Sequence, residues 1–182
     1  MHFEAKTITL KDGRSAVLRN PCKADAQALI DYMIDTAAET DFVLRYPEEI
    51  VMTVEKEEAF VAAVNDSPND LMIVCEVEGR IAGNCHLAFG SKIKTRHRGD
   101  IAIALYRAFW GLGIGTAMFE AMIAAARARE GVKQLELEFI EGNSRGRALY
   151  EKMGFRITAV RPEHICLKDG TLLDDYIMIK RL

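Results

Sequence analysis

The chain has 182 residues, 49% of them apolar, with a formal net charge of −3 and a sequence pI near 5.9. This length favours a single domain over residues 1–182, and the slightly acidic balance argues against nucleic acid or an anionic membrane as a partner. No apolar run is as long as a membrane helix, and residues 1–10 lack both the basic end and the apolar segment of a signal peptide, so we expect a cytoplasmic protein.

The cysteines give no sign of a disulfide framework or a zinc site. They lie at scattered positions, with no C-x-x-C pair: Cys22, Cys75, Cys85 and Cys166. We therefore expect free thiols and no bound metal.

The first part of the chain predicts a β-hairpin followed by two helices. Asp12 and Gly13 form a turn between two short runs of β-forming residues. Apolar residues at three- and four-residue spacing predict a helix over 23–40. A second helix is predicted over 54–64, with Thr53 as its N-cap.

The segment 39–52 between those helices has no clear period and contains Pro47, so it is predicted to be a loop. Its aromatic and apolar residues fit two roles equally well, filling the core or bordering a binding cleft. Beyond the second helix, Glu78 and Gly79 join two apolar strands in another hairpin. The basic loop 91–99 that follows is typical of a solvated surface.

The second half predicts a strand, a glycine-rich turn, a helix and a strand, which is a crossover unit within a mixed α/β fold. The predicted elements are a strand over 100–106, a helix over 115–130, a strand over 134–139, a helix over 143–153, and strands over 156–161 and 176–182. Asp169 and Gly170 form the turn between the last two strands.

The glycine-rich turn is the most informative stretch. Gly111, Gly113 and Gly115 stand on alternate positions directly ahead of an alanine-rich helix. Unpaired backbone N–H groups and the positive end of the helix dipole make such a turn an anion site, and glycine lets those groups converge. The spacing fits neither the dinucleotide fingerprint G-x-G-x-x-G nor a P-loop, which requires Gly-Lys-Ser/Thr. A tight turn that only packs a helix closely against a strand is the structural alternative.

With these residues in view, the chain resembles the Gcn5-related N-acetyltransferase (GNAT) superfamily. The stretch "WGLGIG" resembles that family's acetyl-CoA motif Q/R-x-x-G-x-G/A, with Trp110 where Gln or Arg is usual. The stretch "ELEFIEGNSRGRALYEKMGF" resembles the second half of its signature, and the matching positions are Asn143, Ala148, Leu149, Tyr150, Gly154 and Phe155. The resemblance covers residues 100–155 and implies a mixed, mostly antiparallel central sheet flanked by helices.

The resemblance also implies acetyl-CoA as co-substrate and assigns roles in binding it. Leu105, Tyr106 and Arg107 would pair their backbone with the pantetheine arm and supply an N–H to the thioester carbonyl. Asn143 would contact the pantetheine amide. The amides that would hold the pyrophosphate are those of Gly111, Leu112, Gly113, Ile114, Gly115 and Thr116. Arg145, Arg147 and Lys152 are near enough in sequence to reach the phosphates, although a charged helix face also explains them.

Acetyl transfer from a thioester to an amine needs a neutral nitrogen, a stabilised oxyanion and a protonated leaving thiolate. Glu138 is the candidate base, because a Glu at the matching place serves as base in some members of the superfamily; a merely solvated Glu136–Glu138 face is the alternative. His86 is a second candidate base, although a satisfied core histidine is the simpler interpretation. Tyr150 would stand near the sulfur and protonate the thiolate, or else only pack against the crossover.

The sequence therefore predicts an N-acetyltransferase whose acceptor is a primary amine of a small molecule, a polyamine or a protein N-terminus. The reaction would be direct attack in a ternary complex. A non-catalytic acyl-CoA sensor with the same pocket is the alternative from another class, and an unrelated α/β protein is a third. A homodimer is compatible with the family.

Overall fold

The structure is a computed structural model that describes residues 1–182, and every helix and strand predicted from the sequence is present. The strands are β1 (Lys6–Thr9), β2 (Ser15–Arg19), β3 (Asp70–Val77), β4 (Arg80–Phe89), β5 (Arg98–Leu105), β6 (Gln134–Ile140), β7 (Arg156–Cys166) and β8 (Leu172–Arg181). The helices are α1 (Ala26–Glu39), α2 (Val54–Asp66), α3 (Ile114–Ala128) and α4 (Ser144–Lys152). None of the helices is both long enough and apolar enough to span a bilayer.

Local sequence accounts for the start of α2 but not for the extent of the last hairpin. Thr53 caps α2, its hydroxyl oxygen accepting the Lys56 N–H at 3.4 Å. The largest differences from prediction are in the last hairpin, where β7 and β8 extend several residues further toward their turn. That part of β7 is mostly exposed, so it carries no alternating apolar pattern from which its length could be predicted.

All eight strands form one sheet in the order β1-β2-β3-β4-β5-β6-β8-β7. The neighbouring pairs are antiparallel except β5 and β6, which are parallel. A parallel pair needs a crossover connection, and α3 supplies it. The fold is therefore the mixed, mostly antiparallel α/β arrangement that the sequence predicts.

The parallel pair opens into a gap. β5 and β6 pair over only three residues each, from Arg98 opposite Gln134 to Asp100 opposite Glu136. Beyond them the second halves of both strands run on without pairing to each other. A sheet that parts in its middle leaves backbone N–H and C=O groups without a strand partner, and those groups must find other partners.

The sheet separates two apolar layers. On one face, Phe119 of α3 and Tyr150 of α4 pack with Leu87 and Leu135 in the larger cluster. On the other face, α1 and α2 pack on β3 in a smaller cluster: Leu29, Tyr32, Val61, Val64, Met72, Val74 and Ile81. Alternation along β6 sends its leucines into the larger core, so Glu136 and Glu138 point to the face of α1 and α2.

Candidate active site

A cavity of about 1130 Å³ lies over the gap between β5 and β6. It is lined by the glycine-rich turn and the start of α4, and also by Phe42, Arg45 and Ile50 of the loop after α1. The 39–52 loop is thus the edge of a cleft, the second of its two predicted roles. No cluster of three or more His, Cys, Asp or Glu side chains is arranged to hold a metal ion.

The end of β5 presents backbone groups to this gap. Tyr106 N–H bonds to Ala82 O at 3.0 Å, in register with the antiparallel pairing of β4 and β5. Residues alternate in an antiparallel ladder, so Ile103 and Leu105 direct their N–H and C=O groups away from β4, toward the gap. Sequence reasoning missed Ile103; two-residue alternation along β5 was the signal that pointed to it.

The backbone N–H groups of Tyr106 and Arg107 already have acceptors within the chain. The amide of Arg107 donates to Glu39 Oε2 at 2.7 Å, and that of Tyr106 is bound to β4. Of the three backbone positions predicted to meet the pantetheine arm, Leu105 therefore faces the gap and the other two donate elsewhere. Trp110 Nε1 donates to the Leu105 carbonyl oxygen at 2.8 Å.

The glycine turn has the geometry of an anion cradle. Gly111 and Gly113 have φ of 80° and 98°, in the left-handed region that favours glycine. Gly113 is the N-cap of α3, so the amides of the first helical turn have no acceptor within the helix. A Cβ on Gly113 would meet nothing within 4 Å, which leaves open space beside those amides.

The other turn residues hold the cradle in place. Leu112 O accepts Lys11 N–H at 3.1 Å, which ties the turn to the first hairpin. Ile114 is 1% exposed and anchors the turn in the core. A Cβ on Gly115 would lie 2.8 Å from Leu149 Cδ2, so glycine there permits close packing of α3 on α4. Thr116 Oγ1 accepts a hydrogen bond from Lys152 Nζ at 3.2 Å.

Asn143 and Tyr150 lie on the wall formed by α4. Asn143 is the N-cap of α4, its Oδ1 accepting Gly146 N–H at 2.9 Å. Tyr150 is 7% exposed between the rings of Phe119 and Phe139. Burial raises the pKa of Tyr150 to about 12, so the phenol stays protonated well above neutral pH.

The carboxylates of β6 have basic partners. Glu136 accepts from Arg98 Nη1 at 3.2 Å. Glu138 forms an ion pair with Arg161 of β7, which also donates Nε–H to Asp175 Oδ2 at 2.9 Å. Both glutamates line the cavity, and Glu138 is the more exposed of the two.

His86 lines the same cavity from β4. Its side chain is 32% exposed, and Nε2 lies 3.0 Å from Asp70 Oδ1. His86 is therefore half-buried on the cleft side, with its Nε2 beside a carboxylate. Alternation places residue 86 on the cleft face of β4, while its neighbours Cys85 and Leu87 enter the core.

Comparison with known proteins identifies the family of this chain. A family model described as "Acetyltransferase (GNAT) family" matches residues 33–155. The chain belongs to the GNAT acetyltransferase family.

Solved structures agree with this assignment. An acetyltransferase of the GNAT family from Streptococcus pneumoniae is 27% identical, with a TM-score of 0.86 over 92% of this chain and 99% of that one. Ribosomal-protein-alanine N-acetyltransferase from Brucella melitensis is 25% identical, with a TM-score of 0.78 over 91% and 99% of the two chains. YncA from Salmonella typhimurium, solved with its cofactor acetyl-CoA, is 21% identical, with a TM-score of 0.78 over 92% and 94%, and shares the fold.

Proposed function

We propose that the protein transfers an acetyl group from acetyl-CoA to a primary amine by direct attack within a ternary complex. The observation that carries the proposal is the gap between β5 and β6, which runs from the Leu105 backbone to the open amides of the glycine turn. YncA is similar in fold and was solved with acetyl-CoA. The Brucella melitensis relative is a protein N-acetyltransferase by its name.

In this proposal, acetyl-CoA binds along the gap. The diphosphate lies on the amides from Gly111 to Thr116, where the dipole of α3 and the unpaired N–H groups favour negative charge. The pantetheine arm pairs with the strand edge at Ile103 and Leu105, much as a further strand would. Asn143 Nδ2 makes no hydrogen bond within the chain. In the proposed complex it donates to the carbonyl oxygen of a pantetheine amide.

The acceptor nitrogen must first be neutral. A lysine-like amine of pKa near 10.4 costs about 4.6 kcal/mol to deprotonate at pH 7, whereas an α-amine of pKa near 8 costs about 1.4 kcal/mol. Glu138 accepts that proton in our proposal. Its carboxylate lines the cavity, and the incoming ammonium competes with Arg161, which keeps Asp175 as its other partner.

The amine nitrogen then attacks the thioester carbonyl carbon, forming the C–N bond, and its second proton passes to solvent water. Backbone N–H groups of β5 stabilise the oxyanion. The C–S bond breaks, and Tyr150 donates its phenolic proton to the departing thiolate before solvent restores it. The high pKa of the phenol keeps that proton in place until negative charge develops beside it.

In this proposal, the acceptor amine approaches through the part of the cavity that the 39–52 loop lines. Lys168 of the β7–β8 turn donates its N–H to the Tyr46 hydroxyl at 3.0 Å, which fastens this loop over the last hairpin. Met33, Phe42 and Ile165 supply apolar contacts there, beside the guanidinium of Arg45. We propose as acceptor the primary amine of a small molecule, of a polyamine or of a protein N-terminus.

Thiol release tests the proposal. The protein is mixed with acetyl-CoA and a panel of small amines, polyamines and peptides with free α-amines, and free CoA is followed with a thiol reagent. We expect release that depends on one class of amine. Binding of acetyl-CoA without release by any amine would contradict catalysis and favour an acyl-CoA-binding module. Absence of a thermal shift with CoA would contradict the cofactor assignment as well.

A further inference from the structure

The residue three positions ahead of Gly113 is Trp110, which cannot offer the diphosphate a charged or flexible side chain. Its indole nitrogen, the only polar atom of the side chain, is already bonded to Leu105 O. The indole ring instead contacts two guanidinium groups, that of Arg107 at 5.4 Å and that of Arg145 at 5.3 Å from the ring centroid. Trp110 thus holds two arginine side chains beside the turn and supplies no charge of its own.

The two arginines differ in what else they bind. Arg107 donates its Nη2 to the Glu39 carbonyl oxygen, and its amide donates to the Glu39 carboxylate. The side chain of Arg145 makes no hydrogen bond and no ion pair within the chain, and it lines the cavity from the first turn of α4. Its Nη1 lies 3.6 Å from the point where a Cβ on Gly111 would stand. An uncommitted guanidinium is therefore held against the glycine turn.

The neighbouring cations of α4 are bound elsewhere. Arg147 Nε pairs with Glu151 Oε1 at 2.8 Å, four residues along the same helix. Lys152 Nζ donates to Thr116 Oγ1. Of these three cationic side chains, only Arg145 has no hydrogen-bond or ion-pair partner, and it is the one beside the glycine turn.

We propose that Arg145 binds the diphosphate of acetyl-CoA and supplies, from α4, the side-chain contact that position 110 does not make. The proposal rests on acetyl-CoA binding at the glycine turn, as proposed above. A guanidinium presents a planar fork of N–H donors that matches two phosphate oxygens. Stacking on Trp110 holds the fork in place, which lowers the entropy lost when the phosphates bind.

Binding calorimetry with matched variants tests the assignment. Arg145→Ala is compared with Arg147→Ala, which removes the same charge from the same helix but faces Glu151. Each protein is titrated with acetyl-CoA and with its 3′-dephospho analogue, which keeps the diphosphate. We expect Arg145→Ala to weaken both ligands equally, by about tenfold to a hundredfold, as for a lost charged hydrogen bond. Arg147→Ala should change Kd by less than about twofold.

Three further results bear on the proposal. Equal affinities of the two variants would overturn it. A loss confined to acetyl-CoA, with the dephospho analogue unaffected, would place Arg145 on the 3′-phosphate and overturn the diphosphate assignment. Arg145→Lys, which keeps the charge but not the fork, should fall between wild type and Arg145→Ala.

Binding by the wild-type protein distinguishes failure of the proposed function from failure of the role proposed for Arg145. If it binds neither nucleotide, the proposed function fails. If it binds both and the Arg145 variants bind equally well, only the role of Arg145 fails. Arg145→Gln, which keeps most of the side-chain volume, gives the same comparison should the alanine variant unfold, and melting curves identify that case.

Discussion

Trp110 Nε1 and the carbonyl oxygen of Leu105 form a 2.8 Å hydrogen bond that closes the end of β5 onto the glycine turn. This bond fixes the distance between the strand edge proposed to meet the pantetheine arm and the amides proposed to meet the diphosphate. In the proposed complex, this bond therefore sets the spacing between the binding positions of the pantetheine arm and of the diphosphate of acetyl-CoA.

Trp110→Phe removes this bond but keeps an aromatic ring beside Arg107 and Arg145. We expect Kd for acetyl-CoA to rise by roughly twofold to tenfold, with kcat nearly unchanged, because the free protein no longer holds the strand edge and the turn at the spacing that the ligand needs. Because Trp110 is the sole tryptophan, quenching of its fluorescence follows binding in the wild type, and calorimetry gives Kd for the variant. An unchanged Kd would show that the bond does not set the ligand spacing.

Tyr150→Phe removes the proposed acid and leaves a ring of the same shape between Phe119 and Phe139. Since the phenol makes no hydrogen bond within the chain, folding should be little affected. We expect kcat to fall at least about tenfold, with little change in Kd for acetyl-CoA, as for loss of a general acid. Steady-state rates and calorimetry measure the two quantities. Unchanged turnover would refute the acid role.

The pH profile follows from the same group. Burial raises the pKa of Tyr150 from 10.0 to about 12, so the protonated form needed for donation persists through the alkaline range. In Glu138→Gln, the rate with a lysine-like amine should rise about tenfold per pH unit between pH 7 and 9 as the neutral amine accumulates, and the wild-type rate should rise less steeply because Glu138 removes the proton. No loss of rate from Tyr150 ionisation is expected below about pH 10. A descending limb near pH 8 that is absent in Tyr150→Phe would contradict this.

Glu138→Gln tests the proposed base without leaving a charge unpaired, because Arg161 keeps Asp175. We expect kcat/KM to fall by about a hundredfold or more for an acceptor amine of pKa near 10, and less for an α-amine near 8, since the deprotonation cost is smaller. Glu136→Gln is the matched control on the same face of β6 and should change the rate little. Equal effects of the two variants on kcat/KM would count against Glu138.

Gly113→Ala tests the cradle against a matched glycine. Gly113 and Gly170 have φ of 98° and 87°, and a Cβ at either would meet nothing within 4 Å. Alanine at each site should therefore cost a similar amount, about 1–2 kcal/mol of unfolding free energy. Only Gly113→Ala should weaken acetyl-CoA binding, because its methyl group would occupy the space beside the amides of α3. Denaturant unfolding and calorimetry measure the two effects, and an equal Kd for both variants would place the diphosphate elsewhere.

Much of the architecture could be predicted from local signals. Thr53 marks the start of α2 because a short side-chain oxygen satisfies an amide that the helix leaves open. The alternation of Leu135, Glu136 and Leu137 fixed which face of β6 is buried. The extra length of β7 escaped prediction because its exposed residues carry no pattern.

The amino-acid sequence by itself determined the order of the elements, the glycine turn ahead of α3, and the motifs that indicate the GNAT family, because each depends on residues close together in the chain. Only the tertiary structure decided that Ile103 and Leu105 face the gap while Tyr106 does not, that Arg161 reaches Glu138, and that Arg145 lies on Trp110. These relationships join residues of different elements. They depend on strand register and on which elements come to lie side by side, and no local spacing of residues specifies either.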